Sequence, residues 1–348
     1  TKIFFYFYIF FLTLIINLIF SINFENTAPR VIKFFFIIFF IFELQRIIQK
    51  FNDTHIKTVF KFWSLLFVIL SLDIIFEILF GKNLFGFKSY LPGRIASFFG
   101  DELVVGAFYH GFVLFFLSYL INSKSKNYIL LLSVFAVILI SFLIGERSNF
   151  FKFFISFSII LILYFSKYYK KIILLLFASV LLLASIIYSN ENLKYRYLVQ
   201  WNLKNINENN YITHYKTAIF VFQKYPFFGS GIKNFRVEVK NIINKDYKDD
   251  VKYNNVRILT THPHQINFEI LSETGIFGYT CFLIFFIFTF VKAFKEFMLK
   301  RNIFLLVSTI FCLIYLNPVL PSGSFFTTYG ATIFWTNYAI LLAHIRSN

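Results

Sequence analysis

Long apolar segments separated by short polar ones run through most of the chain, a pattern typical of helices that cross a lipid bilayer. A bilayer core of roughly 30 Å needs about 20 apolar residues in a helix. Ten segments approach this length, and we expect a fold of the all-α class: a polytopic membrane helix bundle with about ten transmembrane helices. The segments lie near residues 3–22, 31–49, 60–80, 103–121, 128–144, 150–166, 172–189, 275–294, 303–317 and 326–345.

One stretch departs from this pattern, because residues 190–267 are polar and rich in Asn, Lys and Tyr. A loop of this length is usually functional or disordered. We expect three parts: an N-terminal bundle of about seven helices (1–189), a large, partly helical loop (190–267) and about three C-terminal helices (268–348).

Two helices are expected within or next to the loop. Residues 211–225 have an amphipathic pattern that stops at Pro226 and Gly229. A second, short helix is expected to open at Pro263 and to run to Glu273, since proline suits the first position of a helix.

The composition agrees with a membrane protein. Hydrophobic residues make up 58% and charged residues 15%, whereas a soluble domain has roughly 45–50% and 25%. These values exclude an ordinary soluble enzyme, a disordered chain and a fibrous protein. The net charge of +17 raises the alternative of nucleic-acid binding, but basic residues that flank membrane helices explain it better, and no nucleic-acid partner is expected.

The distribution of basic residues predicts an orientation. With the N-terminus inside, Lys and Arg are about twice as frequent in the inner segments as in the short outer loops. The long loop then lies outside the cytoplasm. No cofactor or metal site is predicted: Cys281 and Cys312 lie in apolar runs, and His262 and His264 have no third ligand at a known spacing.

The strongest local signal is the run THPHQINFEILSETGIFGY, which begins at Thr261. If Pro263 opens a helix, His264 lies in the first turn, where the helix dipole lowers the pKa of the imidazole. A neutral imidazole can act as a general base. The alternative is a capping or interfacial histidine without a chemical role.

Two further runs carry candidate residues. Arg147, in GERSNF, lies at the end of a membrane helix, and a guanidinium matches phosphate oxygens in a bidentate way. Its alternatives are a pair with Glu146 or contact with lipid head groups. The run PFFGSGIKNFR, from Pro226, predicts a tight turn that holds Asn234 and Arg236 near one surface.

Asp73, Glu77 and His110 are ionisable residues inside predicted membrane helices. Asp73 and Glu77 share a helix face, so they are either buried against polar partners or part of an ion pathway. The pathway would make the protein a transporter or flippase of a lipid-linked or anionic solute. A structural membrane scaffold is a third alternative.

Taken together, these runs resemble the O-antigen ligase and polymerase family, the WaaL-like and Wzy-like membrane glycosyltransferases. The resemblance covers roughly residues 130–295. It rests on the order and spacing of five elements: an arginine after a membrane helix, an aromatic-x-x-Ala helix, a proline, a G-x-G-x-x-N-F turn and a His-Glu-Gly-Gly run. The matching residues are Arg147, Tyr215, Ala218, Pro226, Gly229, Gly231, Asn234, Phe235, His264, Ile270 or Leu271, Glu273, Gly275 and Gly278.

The chain departs from the family pattern at two positions. Gln265 stands where the family usually has Asn after the histidine, and Tyr211 stands where many members carry a second arginine. The second cation must then come from His214, Lys216, Arg196 or Arg236, which stay open as alternatives. Family members often have about twelve membrane helices, so ten here would fit a chain whose start is missing.

The resemblance implies a function in lipopolysaccharide or surface polysaccharide biosynthesis. A metal-independent, inverting glycosyltransferase would move a glycan from undecaprenyl pyrophosphate to a hydroxyl of another glycan, of lipid A-core or of a protein. His264 would be the base and Arg147 would hold the pyrophosphate, with Asn234, His262 and Glu273 among the substrate-binding residues. The protein would reside in the bacterial inner membrane, with its large loop in the periplasm.

Overall fold

The computed structural model describes residues 2–123, 127–199, 210–245 and 260–345. All regular structure in these ranges is helical, so the all-α prediction is confirmed. Two short 3₁₀ turns, Ser97–Glu102 and Ser166–Tyr168, accompany the α-helices. The α-helices are α1 (Lys2–Ile19), α2 (Phe24–Lys50), α3 (Asp53–Phe80), α4 (Val105–Asn122), α5 (Asn127–Leu143), α6 (Arg147–Tyr164), α7 (Tyr169–Ser189), α8 (Glu191–Tyr197), α9 (Asn210–Lys224), α10 (Phe235–Lys245), α11 (Ile266–Lys300), α12 (Ile303–Tyr315) and α13 (Thr328–His344).

Each of the ten apolar segments coincides with a helix, and α9 reproduces the expected loop helix. Six helices, α1, α3, α4, α6, α7 and α11, are long and apolar enough to span a bilayer. Helices α5 and α12 are apolar but shorter. The chain is thus a multi-pass membrane protein, with fewer full-length spans among the described residues than the ten that hydropathy predicted.

Aromatic side chains fill the centre of the bundle, where α1 packs on α11 and α2 packs on α13. Phe7 stacks on Phe285 with ring centroids 4.8 Å apart, and Trp335 packs edge-on against Phe34. Other phenylalanines, such as Phe36 on α2, are exposed on the outer surface of the bundle. The abundance of Phe therefore serves both the aromatic core and the face that would meet lipid.

Helix α11 is broken at Gly275, which separates its first turns from the long membrane span. Gly275 has φ 68° and ψ −172°, and a Cβ there would overlap the carbonyl group of Phe227. The turn between α9 and α10 uses the free backbone groups at the break: Ile276 N–H donates to Pro226 O (2.9 Å), and Gly231 N–H donates to Glu273 O (2.9 Å). The turn and the break therefore stabilise each other.

Asn17 of α1 fixes this junction from the bundle side. Its side-chain amide donates to Phe228 O (2.6 Å) and Glu273 O (2.8 Å), and its oxygen accepts from Ile232 N–H (3.2 Å). The residue is only 1% exposed. One buried amide in a membrane helix thus satisfies three backbone groups of the junction that supports the polar segment.

Candidate functional site

The segment that carries His264 enters α11 differently from the sequence-based expectation. Helix α11 begins at Ile266, and Gln265 is its N-cap, with a side-chain oxygen that accepts from Phe268 N–H (3.0 Å). Pro263 therefore does not open the helix, and His264 lies outside its first turn, with φ 56° in the left-handed region. The amide at position 265, where the family usually has Asn, caps the helix.

Three imidazoles gather at this point, and we call them the histidine cluster: His214, His262 and His264. The ring of His264 lies 4.1 Å from that of His262 and 5.0 Å from that of His214, centroid to centroid. Tyr211 contacts His264 edge-on at 6.1 Å. Helix α9 thus supplies the third histidine of the cluster, His214, which lies far from His262 in the sequence.

Burial keeps the imidazoles of this cluster neutral. Desolvation lowers the pKa of His264, and this cause replaces the helix dipole that the sequence suggested. Burial, followed by the charge of His264, lowers the pKa of His214 to about 4. Burial, followed by the charges of His264 and Lys233, lowers the pKa of His262 to about 3. Neutral imidazoles at neutral pH are able to accept a proton.

Arg147 is the first residue of α6 and belongs to a group of guanidiniums that we call the arginine cluster: Arg94, Arg147 and Arg196. Arg147 Nη1 donates to Arg196 O (3.0 Å), and Arg196 Nε donates to Gly145 O (3.0 Å). Gly145 has φ 76°, and a Cβ there would overlap the carbonyl group of Gly93. The tight turn before α6 therefore allows the close approach of these segments.

Glu146 pairs with Arg94 and not with Arg147. The carboxylate of Glu146 lies 3.1 Å from Arg94 Nη2 and accepts from Gly106 N–H at 3.0 Å. Asn149 donates to its second oxygen. The alternative that Glu146 pairs with Arg147 is therefore wrong, because the partner of Glu146 is Arg94.

Positive charges crowd around Arg196. Its pKa is lowered first by burial and then by the charges of Arg147 and Arg94, and the nearby Tyr211 acts in the opposite direction. The guanidiniums of Arg94, Arg147 and Arg196 therefore lie close enough to influence one another. Guanidiniums suit phosphate oxygens, so this cluster is a candidate anion site.

Two short routes of contact connect the histidine and arginine clusters. In the first, Arg147 contacts Arg196, which lies near Tyr211, and Tyr211 contacts His264. In the second, Ser148 Oγ donates to Pro321 O (2.7 Å), and the next residue, Ser322, donates its N–H to His264 O (2.8 Å). The structure therefore brings the two residues predicted for catalysis into one region, and both are half-buried.

The remaining predicted residues fall into two groups. Lys216 is exposed, and Arg236 acts electrostatically on His262. Asn234 is fully buried, and its side-chain amide donates to Asn23 O and Thr27 Oγ1, both at 3.0 Å. Glu273 is fully buried too, and its carboxylate faces the backbone N–H groups of Lys233 and Phe235. These positions place Asn234 and Glu273 in the packing beneath the site.

Lys233, Glu269 and Ser324 form a buried polar group next to the site, and the sequence did not indicate that they are partners. Lys233 and Ser324 form a hydrogen bond, Ser324 also bonds to Glu269, and Lys233 Nζ lies 3.6 Å from Glu269. Glu269 accepts a further bond from Phe325 N–H (2.7 Å). Lys233 precedes Asn234 in the turn motif, so its position could be noticed, but nothing local indicated a partner far along the chain.

The membrane carboxylates have structural partners. Asp73 accepts from Leu84 N–H (3.0 Å) and Ser97 Oγ (2.7 Å), while Glu77 accepts from Ala96 N–H and Ser97 N–H. His110 lies 3.3 Å from Ser156 Oγ in the bundle interior. Both carboxylates thus hold the segment that follows α3, which corresponds to the burial alternative.

Residues 132–283, which include Arg147, the turn motif and the histidine run, match the family model for O-antigen ligases. This part of the chain is similar to the O-antigen ligases. The resemblance that the motifs indicated is thereby confirmed. No curated protein matches the chain. The matched segment contains most of α5, helices α6 to α10 and the first half of α11, so it includes both residue clusters of the site except for Arg94.

The histidine cluster of the matched segment does not form a recognisable metal centre. Within the described ranges, no group of three or more His, Cys, Asp or Glu side chains is arranged to hold a metal ion. His262 Nδ1 instead lies 3.1 Å from Thr261 Oγ1. The arrangement places imidazoles that could accept a proton near guanidiniums that could bind an anion.

Proposed function

We propose that the protein is a membrane glycosyltransferase of the O-antigen ligase type, acting in surface polysaccharide synthesis. It would transfer a glycan from a polyprenyl-pyrophosphate donor to a hydroxyl group of an acceptor. The family match supports a glycan-ligating enzyme in a membrane. The observation that carries the proposal is the connection between a neutral, half-buried histidine cluster and a crowded arginine cluster at one end of a membrane bundle.

In the proposed reaction, His264 removes the proton from the acceptor hydroxyl as its oxygen attacks the anomeric carbon of the donor sugar. The bond from that carbon to the phosphate oxygen breaks, and its electron pair leaves with the pyrophosphate. Arg147 and a second cation stabilise the charge that grows on this leaving group. Attack from the face opposite the pyrophosphate inverts the anomeric configuration.

Arg196 is the best-placed residue for the second cation. Tyr211 occupies the position at which many family members have arginine, and Arg196 acts electrostatically on that same residue from α8. The backbone of Arg196 also holds Arg147 directly. His214 contacts the proposed base instead, and Arg236 lies towards His262, so both suit the recognition of the sugar or acceptor better.

Alanine substitutions at the two proposed catalytic positions test the assignment. His264→Ala and Arg147→Ala should each lower transfer by about 10²-fold or more, because general bases and charge-stabilising groups contribute on this scale. The assay measures glycan transfer from a lipid-linked donor by purified protein in detergent. His55→Ala and Arg46→Ala are matched controls, since both residues are exposed and remote from the site.

The controls should retain full transfer and all four variants should insert and purify equally. Unchanged transfer by His264→Ala would end the assignment of the base, and unchanged transfer by Arg147→Ala would end that of the pyrophosphate site. Turnover without any ion gradient would also separate an enzyme from a transporter.

A further inference from the structure

The loop between α12 and α13, residues 316–327, contacts both halves of the site although it lies outside the segment that matches the family. The loop carries no charged side chain, and its sequence LNPVLPSGSFFT contains none of the chemistry-bearing motifs. The hydroxyl groups of Ser322 and Ser324 and several backbone groups of the loop nevertheless bond to the site.

On one side, the loop fixes the segment that carries His264. Ser322 N–H donates to His264 O (2.8 Å), and Ser322 Oγ accepts from Ile266 N–H (3.0 Å), one of the N–H groups that the start of α11 leaves without a helical partner. Gln265 Nε2 donates to Asn317 O (2.7 Å). These bonds hold His264 in the left-handed conformation that non-glycine residues rarely adopt.

On the other side, the loop fixes the helix that begins with Arg147. Ser148 Oγ donates to Pro321 O at 2.7 Å. Pro321 and Ser322 are neighbours, so a single peptide unit joins the start of α6 to the backbone of His264. A third contact, from Ser324 to Lys233 and Glu269, ties the same loop to the turn between α9 and α10.

We infer that residues 316–327 form a positioning loop, which holds His264 and Arg147 in the relative positions that the transfer reaction needs. Ser322 in the loop and Ser148 in α6 are the positioning residues. The inference rests on the proposed function. Neither serine needs to touch the substrate. A displacement of about 1 Å between reacting groups is enough to lower a rate by about 10²-fold, which is why a loop without reactive groups affects turnover.

The test compares removal of each hydroxyl with its conservative replacement. Ser322→Ala and Ser148→Ala should lower kcat of the purified protein by about tenfold to a hundredfold and should change KM for the lipid-linked donor by less than about twofold. Ser322→Thr and Ser148→Thr, which keep the hydroxyl, should recover most of kcat. Ser189→Ala is the matched control, because this serine is exposed and its hydroxyl donates to Ser185 O within α7.

A second readout does not depend on activity. Diethyl pyrocarbonate modifies accessible neutral imidazoles, and mass spectrometry measures the rate at each histidine. In Ser322→Ala we expect His264 to react severalfold faster than in the unchanged protein, with exposed His55 as the internal reference. In Ser189→Ala the rate at His264 should stay the same.

The outcomes separate the two proposals. If His264→Ala retains transfer while Ser322→Ala still exposes His264, the proposed base is wrong and the positioning contact stands. If kcat and the reaction rate at His264 both match the Ser189→Ala control in the Ser322 and Ser148 variants, the positioning inference is overturned. Should Ser322→Ala fail to fold, Ser148→Ala decides the question from the opposite side of the loop.

Discussion

The chemical state of His264 depends on its burial and not on a helix end. Its neighbours His214 and His262 have lowered pKa values for the same main reason, and the nearest cations, Lys233 and Arg236, act on His262. Each imidazole of the cluster therefore takes up a proton at a lower pH than an exposed histidine does.

This predicts the position of the acidic limb in the pH dependence of kcat/KM. A base must be unprotonated to work, so the rate falls when the pH drops through its pKa in the free enzyme. Because the pKa of His264 is lowered from 6.5, we expect the midpoint of the acidic limb below that value. An acidic limb centred above pH 6.5 would contradict a buried histidine base.

Arg196 gives a second prediction at the residue scale. Arg196→Gln should lower transfer by about tenfold or more, because it removes one charge next to the proposed leaving group, and Arg196→Lys should recover it only in part, since lysine lacks the planar guanidinium. Transfer is measured at saturating donor, with Arg46→Gln as the control for an exposed arginine. Full activity in Arg196→Gln would exclude it as the second cation.

Sequence reasoning proposed His264 and Arg147 as the reactive residues but missed their surroundings. The positions of His264 and Arg147 follow from motif order, whereas the start of α11 depends on Ser322 and Gln265, and the contact from Ser322 comes from a distant part of the chain. A proline at position 263 is a local signal for a helix start, and the tertiary contact overrides it. The pair of Lys233 and Glu269 was missed as well, because the fold brings together two residues that are far apart in the sequence.

At the scale of elements, hydropathy was sufficient for the long helices, because length and apolar composition determine them locally. It was insufficient for α8 and α10, which are short and polar. Helix α8 depends on burial of Leu193 and Tyr197, and α10 on burial of Phe235 and Val239. Short helices are stabilised mainly by tertiary packing, so the surrounding fold and not their own sequence determines them.

The junction of α1, α11 and the α9–α10 turn predicts an effect on stability. Asn17→Ala removes the side-chain partner of the Phe228 carbonyl group and of the Ile232 N–H, whereas the Glu273 carbonyl group keeps its bond from Gly231 N–H. Each buried group without a partner costs about 1–3 kcal/mol. We expect the thermal unfolding midpoint in detergent, measured by intrinsic fluorescence, to fall by several degrees. The control Asn192→Ala replaces an exposed side chain and should leave the midpoint unchanged. An unchanged midpoint for Asn17→Ala would contradict the anchoring role.

At the scale of the whole molecule, the proposed orientation places α8 outside the cytoplasm and the start of α7 inside. Asn192→Cys in α8 and Lys170→Cys in α7 are suitable reporters, because both positions are exposed. The native Cys312 is buried and Cys281 is half-buried, so background labelling should be low. In intact cells, an impermeant maleimide should label position 192 only, and permeabilised cells should show label at both. Label at position 170 in intact cells would reverse the orientation.

The crowding of Arg94, Arg147 and Arg196 has a consequence for the end of the catalytic cycle. A polyprenyl pyrophosphate that has lost its sugar exposes one more ionisable oxygen than the sugar-bearing donor does. In the proposed reaction, the arginine cluster would therefore hold the spent carrier more strongly than the fresh donor. Release of the carrier into the bilayer would then limit the rate of turnover. Added salt, which screens the charges, would raise kcat at saturating donor and lower kcat/KM for the donor.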